Sequence, residues 1–386
     1  MRRAITAVIG ALAVLALAGC IGSPTGSVES GPTPETTASG PSEPVAASTA
    51  AAPGPVTAWR PVGPPSIVAS GLDAPWSVVP LDDGTQLVSQ RDTGEVLEIA
   101  EGGTARAVGS VAGVAPGGEG GLHGLALLET GAATWLYAYL GTEADNRVVR
   151  MPLTGGAGAR ALGPAETVVD GIPRAGIHNG GRIAFGPDGF LYVTTGDANL
   201  RAPAQDPGSV AGKILRLTPE GAPAPGNPFG NAVYSLGHRN VQGIAWTADG
   251  TMWASEFGQN TYDEVNRIVP GGNYGWPVFE GVSGDPAFVD PVITWTPAEA
   301  SPSGLAAVGR TLFVAGLRGA RVWALDVDAT GLTGPAEPLW TDRYGRIRDA
   351  VVAGDALWLL TNDTDGRGDP APEDDLLLRV PLASAT

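Results

Sequence analysis

An all-β fold, a six-bladed β-propeller of four-stranded antiparallel blades, is what this sequence predicts, and three observations carry the prediction. The first is the abundance of turn formers: 57 glycines and 34 prolines in 386 residues, close to a quarter of the chain, against an average of about 12%. The second is a hydrophobic content of 43%, enough for a sizeable core, while the glycines follow no three-residue period, so disorder and collagen are both excluded. The third is a pattern that recurs six times, a Gly or Asp-Gly turn followed by an apolar pair in a strand-like run.

Taken in chain order, the first element is not part of that fold. Arg2 and Arg3, the apolar run Ala4 to Ala18, and Leu17-Ala-Gly-Cys20 read as a lipoprotein signal peptide over residues 1–19, with lipidation expected at Cys20. The apolar run is shorter than the roughly 20 residues a membrane span needs. Cys20 is the only cysteine, so the folded part has neither a disulfide nor a thiol nucleophile. Residues 20–57 are Ser, Thr, Pro, Ala and Gly with almost no large apolar side chain. Such a stretch buries too little surface to offset its ordering entropy and reads as a flexible tether. An extracytoplasmic, lipid-anchored protein is the expectation.

The domain proper is expected over residues 58–386. Its six hairpins are Asp83-Gly84 with Leu87-Val88, a Gly/Ala turn with Leu136-Tyr137, Asp188-Gly189 with Leu191-Tyr192, Asp249-Gly250 with Met252-Trp253, Gly309 with Leu312-Phe313, and Gly354 with Leu357-Trp358. Successive anchors lie 45 to 61 residues apart, the span of one four-stranded blade, so six copies mean six blades. The tryptophans at 135, 246, 253 and 358 are expected to pack between blades.

In each copy the chain runs along one strand, turns, and returns along the next. Residues before the first strand and after the second therefore emerge on one rim, opposite the turns. In the third copy these are His178 and Asp197; the same offsets give Arg239 and Gly258 in the fourth, Arg318 in the fifth, His123 with nearby Glu119 in the second, and Tyr344 before Arg346 and Arg348 in the sixth. A histidine, several arginines and several carboxylates thus converge on one axis. His238 reads as structural, because its neighbour Arg239 holds the rim register. The formal charge of −17 repels phosphate backbones and argues against a nucleic-acid partner.

At these same positions the motifs Gly118-Glu-Gly-Gly-Leu122, His178-Asn-Gly-Gly-Arg182, Thr195-Gly-Asp197, Leu236-Gly-His-Arg-Asn-Val-Gln-Gly243, Asp263-Glu-Val-Asn266, Gly272-Asn-Tyr-Gly-Trp-Pro277 and Arg346-Ile-Arg-Asp349 stand in order. In that order and spacing the sequence resembles the PQQ-dependent soluble aldose sugar (glucose/sorbosone) dehydrogenases. The resemblance implies that His178 is the general base for the sugar C1 hydroxyl, that Asp197 orients it, and that Arg239 stabilises charge on the quinone. It further implies that Glu119, Asn240, Arg318, Arg346 and Arg348 bind the cofactor, the arginines through its carboxylates. Calcium is implied as well, at the carbonyls of Gly258 and Gln259 and, in a second site, at the Glu264 side chain and the Tyr274 carbonyl. Electrons would leave to a quinone, cytochrome or dye acceptor. Glu119 departs from the family's usual Gln, Arg318 stands where Lys also occurs, and Gln259 replaces a frequent Pro.

Beside oxidation of a sugar to its lactone, two other functions stay open at this point. One is a non-catalytic propeller that binds sugar or a cell-envelope partner; the other is a calcium-dependent lactonase, since folds host many functions. A lactonase calls for a metal held by several carboxylates, whereas an Arg-rich rim suits an anionic cofactor.

Overall fold

The structure, a computed structural model, describes residues 57–385; the signal peptide, Cys20 and nearly all of the tether lie outside the described residues. Six antiparallel sheets follow one another along the chain. Blade I comprises strands within 75–110, blade II within 122–172, blade III within 183–236, blade IV within 241–295 and blade V within 302–339. Blade VI takes Ile347–Ala353, Ala356–Thr361 and Leu377–Ala385 from the end of the domain, and Ala58–Pro61 and Ser66–Ala69 from its beginning. The first strands of the six blades neighbour one another in a closed ring around the axis.

Three sheets have the expected four strands. In blades II, V and VI the outermost position is split into two strands, both paired with the third strand. The four-layer blade is kept and only its outer edge is broken.

The hairpin turns form for local reasons. Asp83 Oδ1 accepts hydrogen bonds from the Thr85 N–H (3.1 Å) and hydroxyl (2.7 Å), and Asp249 does the same for the Thr251 N–H (3.0 Å). The glycine between each pair takes a left-handed φ, +85° at both Gly84 and Gly250, which other residues adopt only at a cost.

Each apolar cluster lies between two neighbouring blades, with Trp253 and Tyr137 fully buried in such seams. Trp135, Trp246, Trp253 and Trp358 all sit in these seams, as their spacing predicts. Blade VI closes the ring by pairing Ala58 with Ala385 and Trp59 with Ser384. Arg60 adds a two-pronged pair with Asp326 of blade V at 3.0 and 2.9 Å.

Candidate active site

All six hairpin turns lie at one end of the ring, so the loops at the other end carry the rim residues. His178 sits in the loop before the first strand of blade III, at φ +59°. Its backbone N–H donates to Glu119 Oε2 at 2.8 Å. The loop is held by Asn179, which exchanges hydrogen bonds with Ala175, and by Asn240 Oδ1, which accepts from the Gly180 N–H at 2.9 Å. Thr195-Gly-Asp197 lies directly against it: a Cβ at Gly196 would stand 1.8 Å from the His178 carbonyl oxygen. Only glycine allows that approach.

His178 Nδ1 lies 2.7 Å from Asp197 Oδ1. Asp197 is fully buried, and its carboxylate also accepts from the Asn199 N–H (2.7 Å) and Trp276 Nε1 (2.8 Å). Burial alone would raise its pKa, but these hydrogen bonds and the His178 ring outweigh it and hold Asp197 below its ordinary value. An ionised carboxylate at Nδ1 keeps the proton there and leaves Nε2 as the acceptor.

Beside this pair, on the axis, is a cavity of about 210 Å³. Arg91, Arg318, Arg346, Arg348 and Arg367 line it, together with Glu119, Asn240, Gln242 and the ring of Trp76. Arg346 and Arg348 share a buried counter-ion, Asp365 Oδ2, at 3.0 and 3.2 Å. Burial pushes Arg348 down to about 9 against the pull of Asp365, and the charges of Arg346 and Arg91 press the same way. Arg318 is exposed and makes no hydrogen bond or ion pair among the described residues. The cavity is therefore cationic, with one guanidinium fork unspent.

A second, much smaller cavity of about 10 Å³ is lined by Arg239, Glu256, Gly258, Glu264, Tyr274, Trp276 and Glu280, room for about one water or ion. Glu264 is buried there, and burial together with neighbouring Glu256 pushes its pKa up to about 8, against hydrogen bonds from Asn266 and the Gly281 N–H. Arg239 donates to the Gly258 carbonyl at 2.5 Å, so an ion at that carbonyl competes with the guanidinium. Gln259 stands outside this chamber, its side chain paired with Arg201 and its N–H with Glu280.

The structure thus gathers Glu119, Asn240, Arg318, Arg346 and Arg348 around one cavity, sets His178 and Asp197 beside it, and places Arg239, Gly258, Glu264 and Tyr274 around another. His238 is structural, as expected: it is fully buried between Ser235 and Glu256, each at 2.8 Å. His123 is buried between the rings of Trp76 and Tyr139; burial lowers it to about 3, so it stays neutral.

Several residues escaped the sequence. Trp76, Arg91, Asp365 and Arg367 have no partner in the repeat pattern. Trp276 lies within the Gly272-Asn-Tyr-Gly-Trp-Pro277 motif, but nothing in that motif says that its N–H reaches Asp197.

A family model described as Glucose / Sorbosone dehydrogenase matches residues 72–378. A solved structure of the PQQ-bound form of an aldose sugar dehydrogenase from Streptomyces coelicolor is 46% identical, with a TM-score of 0.80, covering 86% of this chain and 100% of that one. Aldose sugar dehydrogenase of Escherichia coli is 29% identical over 78% of this chain and 90% of its own length. Quinoprotein glucose dehydrogenase B of Acinetobacter calcoaceticus is 31% identical over 58% of this chain, and the match spans 54% of that protein.

Proposed function

The chain belongs to the glucose/sorbosone dehydrogenase family, and from that premise we propose that it oxidises the C1 hydroxyl of an aldose or related sugar to the lactone, with PQQ and calcium. The observation that carries the proposal is the His178–Asp197 pair beside a cavity walled by five arginines.

The residues present fit an aromatic tricarboxylate. Arg318 has a free fork, and Arg346 and Arg348 are held in place by Asp365. Arginine suits carboxylates because its planar fork can donate two parallel hydrogen bonds. When bound, PQQ supplies the two-electron acceptor that a polypeptide lacks. The rest is done by this chain. His178 takes the hydroxyl proton at Nε2 while Asp197, kept ionised, stabilises the imidazolium. Arg239, half-buried against the Trp276 ring, provides positive charge at the edge of the site, where negative charge on a bound acceptor would be stabilised.

For calcium the small chamber offers hard oxygen donors, Glu256, Glu264 and Glu280, which are not gathered closely enough for all three to bind one ion. The Cys20 motif supports lipid anchoring and an extracytoplasmic site of action, with electrons passing to a quinone, cytochrome or dye acceptor.

The test is reconstitution of the purified protein with PQQ and Ca²⁺, followed by dye reduction across a panel of aldoses. Saturable PQQ binding and sugar-dependent reduction are expected. Absence of PQQ binding overturns the enzyme reading in favour of a binding module; lactone hydrolysis without PQQ overturns it in favour of a hydrolase. Calcium at about 100 times its dissociation constant should add ~2.7 kcal/mol of stability, read as a rise in Tm. Glu264→Ala should abolish that rise; an undiminished one excludes Glu264 as a ligand.

A further inference from the structure

Glu119 is the one carboxylate among the side chains lining the arginine cavity. At a site for a polycarboxylate it is the wrong charge, yet its side chain is built into the fold. Its Oε2 accepts the His178 N–H at 2.8 Å, which fixes the base loop. An acceptor is needed at this position; a negative charge is not.

The remaining oxygen, Oε1, is bonded to Arg367 Nη1 at 2.8 Å. Arg367 comes from 248 residues away, in the loop between the last two strands of blade VI, and its side chain is half exposed at the cavity mouth. Its backbone N–H donates to Asp365 Oδ1 at 2.9 Å, the same carboxylate that pairs with Arg346 and Arg348. The loop that carries Arg367 is therefore anchored to the centre of the cationic cluster and cannot drift from Glu119 independently.

We propose that Arg367 is a specificity-determining residue that cancels the charge of Glu119 and so admits a polyanionic ligand to the cavity. The inference rests on the cofactor reading above but concerns this chain's own pair. Its signature is coupling: the worth of Arg367 depends on whether residue 119 is charged.

The test is a double-mutant cycle on the full chain, with wild type, Glu119→Gln, Arg367→Gln and the double variant. Affinity is measured by tryptophan fluorescence, for PQQ and separately for benzene-1,3,5-tricarboxylate. Arg367→Gln is expected to weaken binding in the wild-type background and to have little effect when residue 119 is Gln, a coupling of roughly 2- to 150-fold. Equal weakening in both backgrounds makes Arg367 a direct ligand and overturns the proposal; so does no weakening in either. If the tricarboxylate shows the coupling and PQQ does not bind, the cofactor reading fails while the charge pairing stands. If neither anion binds, both fail.

Discussion

His178→Ala is expected to lower kcat of the reconstituted protein by about 10²- to 10⁴-fold, the range for losing a positioned general base. PQQ affinity should change little, because His178 flanks the arginine cavity and is not among the side chains that line it. The loss should therefore appear in kcat with PQQ binding preserved. Asp197→Asn should give a loss of similar size. Its amide can still meet Nδ1, but the charge that stabilises the imidazolium is gone, and an amide NH₂ can force the wrong tautomer. Steady-state dye reduction and PQQ titration on the same preparations separate the cases. A His178→Ala variant that keeps full kcat removes His178 from the chemistry.

Asp365→Asn should have the largest effect on stability. Asp365 is the buried counter-ion of both Arg346 and Arg348, and removing one partner of a buried ion pair costs about 3–5 kcal/mol. Urea or thermal unfolding measures it. The direction with pH follows from the Asp365 carboxyl itself. Burial would raise it, but Arg348 and Arg346 hold it below its ordinary value in the folded state. Its contribution is therefore present above the unfolded carboxyl pKa of roughly 3.9 and is lost as pH falls through the lower folded value. A polycarboxylate in the cavity should restore part of the loss in Asp365→Asn, because it supplies the missing negative charge. A variant as stable as the parent at neutral pH refutes the counter-ion role.

The repeat made the ring legible in the sequence, and with it most of one rim. His178, Asp197, Arg239, Arg318 and Gly258 come from fixed offsets within a hairpin of set length, so their side of the ring follows from strand geometry. The carboxylates and aromatic rings that tune them do not. Asp365, Arg367 and Trp276 lie in loops of irregular length, and a loop's end point depends on packing against other blades. The split outer strands of blades II, V and VI were illegible for a related reason: an outer edge faces solvent, and its pattern there is weakly constrained. Glu119 was visible, but not its double duty to His178 and Arg367. Those contacts join residues 59 and 248 positions apart.

The shared construction of blade VI has a kinetic consequence. Its sheet needs Ala58–Pro61 and Leu377–Ala385 together, so five blades can assemble while the sixth waits for Leu377–Ala385 to join it. Until then the seams on either side of it remain open, with apolar faces such as those around Leu359 and Leu378 uncovered and prone to association. Closing so long a loop is slow compared with forming a hairpin. A permuted gene that starts in an exposed turn between two strands of one blade and joins residue 385 to residue 57 through a short linker would make the last step local, and should refold faster at unchanged final structure.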